Sequence, residues 1–123
     1  GPGTPYFEDA PALFSTALAQ IDFAHDPAAA QDALTWVLNQ ARPRDTLTLW
    51  HLLSRVNEAE RVRVYEALTK FVPPPAGVTR EGVLQLNKEM LERWKVELEA
   101  SWGWRGKLDL KKLLKKNAYV PER

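Results

Sequence analysis

Two carboxylates and an imidazole lie within five residues of one another in the segment IDFAHDP, where Asp22 and Asp26 flank His25. These side-chain types at this spacing are the beginning of a site for a divalent cation or of an acid–base pair. No second cluster of ligands occurs elsewhere in the sequence to complete such a site. Asp26 also stands directly before Pro27, an order typical of a helix start, so we expect Asp26 to be an N-cap and His25 a loop residue.

Other combinations that support catalysis are missing from the sequence. There is no cysteine, which excludes thiolate chemistry and zinc sites built on Cys. None of Ser15, Ser54 and Ser101 lies in the glycine-flanked turn of a nucleophilic serine, and no phosphate-binding glycine loop occurs. We expect His51 to be a partly buried structural residue rather than a base. The sequence therefore predicts a protein that is not an enzyme, with no cofactor, no metal site and no small-molecule substrate.

The most distinctive segment is SWGWRGKLDLKKLLKK, at residues 101–116. Residues 1–101 carry 10 Lys and Arg against 14 Asp and Glu, a net charge of −4, whereas residues 102–123 carry 7 against 2, a net charge of +5. On a helix over about residues 108–116, three leucines share one stripe, and four lysines occupy the opposite and flanking surface. This pattern is typical of a basic amphipathic helix.

Three interpretations of this basic segment are open. Its leucines dock on the acidic body as a short last helix, or lie in a groove of a protein partner, or its lysines contact an anionic surface of membrane or nucleic acid. The last two differ in salt dependence, because a leucine stripe in a partner's groove should survive raised salt, whereas a lysine contact with an anionic surface should weaken steeply. The candidate partner-binding residues are Trp102, Trp104, Arg105, Leu110, Lys111, Lys112, Leu113, Leu114, Lys115 and Lys116.

Length and composition indicate one globular domain. The chain has 123 residues, of which 45% are hydrophobic and 27% charged. This length and hydrophobic content are enough for a single core. We expect residues 1–3 to be the remnant of an expression tag, 4–101 a helical domain and 102–123 a basic tail packed on it, all cut from a longer bacterial protein. No apolar run is long enough for a membrane-spanning helix. Bacterial cytoplasm and the extracytoplasmic part of a membrane-anchored protein both fit this composition.

Helix-start and helix-stop residues divide the body into five main helices, the first beginning near Pro11. Pro43 and the prolines of VPPPAGV are expected to end the second and fourth helices. The fifth helix, over about residues 80–101, is expected to be the longest. Four residues are expected to be the N-caps of the second to fifth helices: Asp26, Asp45, Asn57 and Thr79.

Apolar positions recur at helical spacing and no strand pattern appears, so the fold class is all-α, with antiparallel helical hairpins in a HEAT-like or irregular bundle. We expect Trp36, Trp50 and Trp94 to lie in the core. The outer face of the long helix is expected to carry the ion pairs Glu89–Arg93, Lys88–Glu92 and Lys95–Glu99. With Trp102, Trp104 and the basic tail, this face is the surface we expect to bind a partner.

Three stretches between about residues 45 and 95 carry a resemblance: DTLTLWHLLSRV, VYEALTKFVPPPAGVTREGVL and EMLERW. They resemble a helical segment of bacterial membrane-anchored regulators of the anti-sigma type. The resemblance implies an extracytoplasmic or regulatory interaction module, and it transfers no functional residue to this chain.

Overall fold

Six α-helices and no strand make up the part of the chain that the computed structural model describes, residues 10–103. The helices are α1 (Ser15–Phe23), α2 (Pro27–Gln40), α3 (Thr46–Leu53), α4 (Glu58–Phe71), α5 (Arg80–Leu84) and α6 (Lys88–Leu98). Short 3₁₀ turns at Ala12–Phe14 and Pro43–Asp45 precede α1 and α3, and a π-helical turn at Glu99–Gly103 follows α6. The predicted all-α class is confirmed. The predicted short C-terminal helix lies outside the described residues.

Three of the four predicted N-caps are confirmed. The side-chain oxygens of Asp26, Asn57 and Thr79 each accept a hydrogen bond of 2.9–3.0 Å from a backbone N–H in the first turn of α2, α4 and α5. Each cap satisfies a donor that the helix leaves without an internal partner. The predicted stops are also confirmed, because α2 ends at Gln40 and α4 at Phe71.

The prediction that the Asp45 side chain caps α3 is wrong. Asp45 precedes α3, but its Oδ2 accepts from the backbone N–H of Arg42 at 2.9 Å and makes no bond to α3. The cause is the 3₁₀ turn that starts at Pro43, since it places the carboxylate over the N-terminal end of that turn. The buried Asp45 therefore caps the turn between α2 and α3.

The single long helix predicted over residues 80–101 is also wrong, because the chain breaks after Leu84 and starts again at Lys88. Leu86 has φ of 59°, the left-handed conformation that usually requires glycine. Two backbone bonds complete a Schellman ending, Leu86 N–H to Val83 O at 2.9 Å and Asn87 N–H to Gly82 O at 2.8 Å. The Asn87 side chain then accepts from the N–H of Met90 and caps α6.

The core is centred on α3. Five of its residues are buried, the apolar ones being Leu49, Leu52 and Leu53. This helix packs against α4 and α6, and α1 packs against α2. The connections from α1 to α2 and from α3 to α4 are short enough to reverse the chain. Within residues 10–103, no helix is long and apolar enough to cross a membrane.

One side chain, Arg61 of α4, joins the ends of two other helices. Its Nε donates to the carbonyl oxygen of Leu53 at 2.7 Å, its Nη2 to that of Val56 at 3.2 Å, and its Nη1 to that of Leu84 at 2.7 Å. Leu53 ends α3 and Leu84 ends α5, so these are carbonyls that a helix C-terminus leaves without an internal partner. A cation at these ends is also favoured by the helix dipoles.

We predict that Arg61→Met lowers the free energy of unfolding by about 2–4 kcal/mol, because three carbonyls lose a charged donor in a partly buried site. Urea denaturation of the full chain measures the change. The exposed Arg44→Met is the matched control and should change stability by less than about 0.5 kcal/mol. Equal losses in the two variants would contradict the role given to Arg61.

At position 86 we predict that the variant Leu86→Gly is more stable than Leu86→Ala by about 1 kcal/mol, because only glycine adopts this backbone conformation without strain. The order should reverse at the exposed Glu66 in the middle of α4, where Glu66→Ala should be the more stable variant by about 1 kcal/mol. Thermal and urea unfolding of the four variants give both comparisons. Alanine preferred at both positions would show that α5 and α6 are one helix.

Candidate interaction surface

Nine of the ten candidate partner-binding residues predicted above follow Gly103 and lie outside the described residues. Trp102 belongs to the π-helical turn, but its side chain is outside the described part as well. Their role stays a prediction. The structure does place the start of the basic tail, because the turn at Glu99–Gly103 contacts α3 and the 3₁₀ turn at Pro43–Asp45.

The three tryptophans predicted to lie in the core occupy three different environments. Trp94 is fully buried, as predicted, and packs edge-on against Tyr65. Trp50 is half-buried, and its indole N–H donates to the carbonyl oxygen of Leu91 at 2.8 Å. Trp36 is 39% exposed, which corrects the prediction for it. On α2 the core face is taken by Leu34 and Val37, and Trp36 projects beside them to the rim.

An open apolar groove, here called the α1–α2 groove, lies beside Trp36. Its volume is about 350 Å³. Its lining contains no charged residue and consists of Leu13, Thr16, Ala17, Gln20, Ala33 and Trp36. Leu13 is 64% exposed, so two large apolar side chains face solvent at this groove. Such a concave apolar surface with a tryptophan at its edge is typical of sites that receive an apolar side chain from a partner.

Packing holds the indole of Trp36 in position. Its ring meets the buried ring of Phe14 edge-on, with 5.9 Å between ring centroids and an interplanar angle of 81°. This geometry is one that aromatic pairs favour. A side chain fixed in this way loses little conformational entropy when a ligand covers it. The sequence showed Leu13 and Trp36 only as members of apolar stripes, and their shared groove depends on how α1 pairs with α2.

Asp22, His25 and Asp26 do not come together as metal ligands in the described structure. Asp26 uses its carboxylate as the N-cap of α2, and Asp22 accepts from Arg55 Nη1 at 3.0 Å. His25 is exposed. Within residues 10–103, no group of three His, Asp or Glu side chains comes together in a way that could hold a metal ion. The expectation of a capping Asp26 with His25 in a loop is confirmed.

His51 lies where the sequence predicts, half-buried at the edge of the core. Its ring packs edge-on against that of Trp50, with 5.1 Å between centroids. On the other side, the Nζ of Lys95 stands 5.0 Å from the centroid of the Trp50 ring, a cation–π distance. These contacts give His51 a packing role beside Trp50.

The ion pairs predicted along the last long helix do not form among the described residues. Arg93 turns to the loop before α5, where its Nε donates to the carbonyl oxygen of Ala76 at 2.9 Å. Lys95 lies over Trp50 instead of pairing with Glu99. The exposed side of α6 and of the turn after it therefore carries carboxylates without basic partners in this part of the chain. The residues of this outer face are Glu89, Glu92, Val96, Glu97, Glu99 and Ala100.

Comparison of the chain with protein-family models, with curated proteins and with solved structures found no match. The resemblances to HEAT-like hairpins and to anti-sigma-type regulators accordingly stay predictions.

We predict that the indole N–H of Trp36 exchanges with solvent at least about ten times faster than that of Trp50, since of the two only Trp50 donates a partly buried hydrogen bond. Hydrogen exchange of the two indole signals by NMR tests this, with Trp36→Phe and Trp50→Phe assigning them. Similar rates for both signals would show that Trp36 is covered in solution.

Proposed function

We propose that this chain is a non-enzymatic protein-interaction module whose binding site is the α1–α2 groove. The observation that supports the proposal is the joint exposure of Leu13, 64%, and Trp36, 39%, at one uncharged concave surface. Burying these two side chains against a partner would remove apolar surface from water, which is the main favourable contribution to association.

The kind of partner follows from the shape and chemistry of the groove. It is lined by residues of α1, of α2 and of the turn before α1, which offer methyl groups, an indole and two uncharged polar side chains, those of Thr16 and Gln20. An amphipathic helix that presents apolar side chains three and four positions apart fits such a surface. We also propose that the module has a regulatory role in a bacterial protein and that its helices pair as in HEAT-like proteins.

The alternative function is binding of an anionic membrane or nucleic acid through the basic tail. Its candidate residues lie outside the described part of the chain, so the groove neither favours nor opposes it. The two functions differ in salt dependence, because the α1–α2 groove has no charged lining while the tail would act through lysines.

The proposal is tested by selecting binders from a display library of helical peptides on the full chain. We expect the selected peptides to carry apolar residues at positions i, i+3 and i+4 or i+7. Trp36→Ala should raise their Kd at least about tenfold, as loss of a tryptophan that a partner buries does at other interfaces. Isothermal titration calorimetry measures the Kd.

Phe23→Ala is the matched control, because Phe23 is 65% exposed and does not line the groove. It should leave the Kd within about a factor of two. Circular dichroism must show the same helix content in the three proteins. Peptides that bind Trp36→Ala as tightly as the unchanged chain would exclude the groove as the binding site.

A further inference from the structure

Among the described residues, the outer face of α6 is an exposed helix surface with an apolar centre. Val96 is 67% exposed, and Ala100 follows it one turn later on the same side. The opposite side of the helix, with Trp94 and Leu98, is fully buried. The exposed apolar centre is thus additional to the core-facing stripe that holds α6 in place.

Carboxylates surround this apolar centre. Glu89, Glu92, Glu97 and Glu99 are all exposed, and none of them forms an ion pair with a base in residues 10–103. The three bases of α6 are Lys88, at the first turn, Arg93, whose Nε is bonded to Ala76, and Lys95, whose Nζ stands 5.0 Å from the centroid of the Trp50 ring. The outer face is therefore net negative, and it would favour a ligand that combines apolar side chains with positive charge.

The segment that follows α6 has this combination. Described structure ends at Gly103, directly after the outer face, and the leucine–lysine stretch begins only about five residues later, at Leu108. A connection of this length is typical of two antiparallel neighbouring helices. In that register a helix over 108–116 would bring Leu114 opposite Val96 and Leu110 opposite Ala100, with Lys111 and Lys115 along the border.

We propose that the outer face of α6 is the docking site of this chain's own segment 108–116, held by the leucines and by attraction between lysines and glutamates. This docking goes beyond the function proposed for the groove and does not depend on it. In the docked state the carboxylates of α6 attract the lysines of segment 108–116, and an external anion would compete with them for these lysines. An anionic membrane or nucleic acid would then bind the tail only by displacing it from α6.

Because the chain has no cysteine, a single Lys112→Cys carries a nitroxide spin label without further changes. On a helix over 108–116, residue 112 would be on the side away from Leu110, Leu113 and Leu114. We expect the label to broaden the NMR signals of the Val96 methyl groups and of Ala100, and to leave those of Leu13 in the α1–α2 groove sharp. Raising the salt from about 0.01 M to about 1 M shortens the Debye length from roughly 30 Å to roughly 3 Å. The attraction between lysines and glutamates then weakens, and the broadening should decrease.

Charge reversal supplies the control. Glu92→Lys with Glu99→Lys should remove most of the broadening at Val96, and adding Lys111→Glu with Lys115→Glu should restore it, while circular dichroism shows unchanged folding. Broadening at Leu13 instead of Val96, or at neither, would overturn the proposal. So would broadening of an isotope-labelled chain by a separate spin-labelled chain, because the docking would then be between copies. The groove function is tested separately by Trp36→Ala and is unaffected by either result.

Discussion

The packing of this domain depends on the guanidinium of Arg61. From a third helix, α4, it donates to the carbonyl groups of Leu53 and Leu84, which the ends of α3 and α5 cannot satisfy by themselves, and to that of Val56 in the loop after α3. With the Leu84 carbonyl held in this way, the chain turns at Leu86 and restarts as α6. The direction of α6, and hence the approach of Leu91 to the Trp50 indole, follows from that turn. The charge of Arg61, the left-handed backbone of Leu86 and the packing of α6 on Trp50 are therefore coupled at this junction.

The two surfaces available for binding follow from this arrangement. Because α3, α4 and α6 pack around the central leucines, α6 buries only one side and leaves Val96 among carboxylates on the other. The pair α1 and α2 contributes Leu34 and Val37 to the same core, which leaves Trp36 at the rim with Leu13 nearby. One surface is uncharged and concave and the other is acidic and convex. They are suited to different ligands, an apolar helix in the first case and a basic amphipathic segment in the second.

The sequence predicts the elements whose causes are local. The caps at Asp26, Asn57 and Thr79 need only a side-chain oxygen before a helical stretch. The bond from Asp45 back to Arg42 depends on a 3₁₀ turn, and the break at Leu86 lacks the glycine that normally marks one. The clamp by Arg61 joins residues up to 23 positions apart, and the exposure of Trp36 depends on which helix covers α2. Such features are set by tertiary packing, and the periodic pattern of apolar residues in a sequence does not predict which helices pack together.

NMR of the Arg61 Nε–H shows whether this side chain holds the ends of α3 and α5 together. This group donates to the carbonyl oxygen of Leu53 at 2.7 Å in a partly buried site. We expect its signal to persist at neutral pH, to exchange slowly with water, and to show a scalar coupling across the hydrogen bond to the Leu53 carbonyl carbon. An Nε–H that exchanges as fast as that of the exposed Arg44, with no such coupling, would mean that Arg61 does not hold these helix ends together.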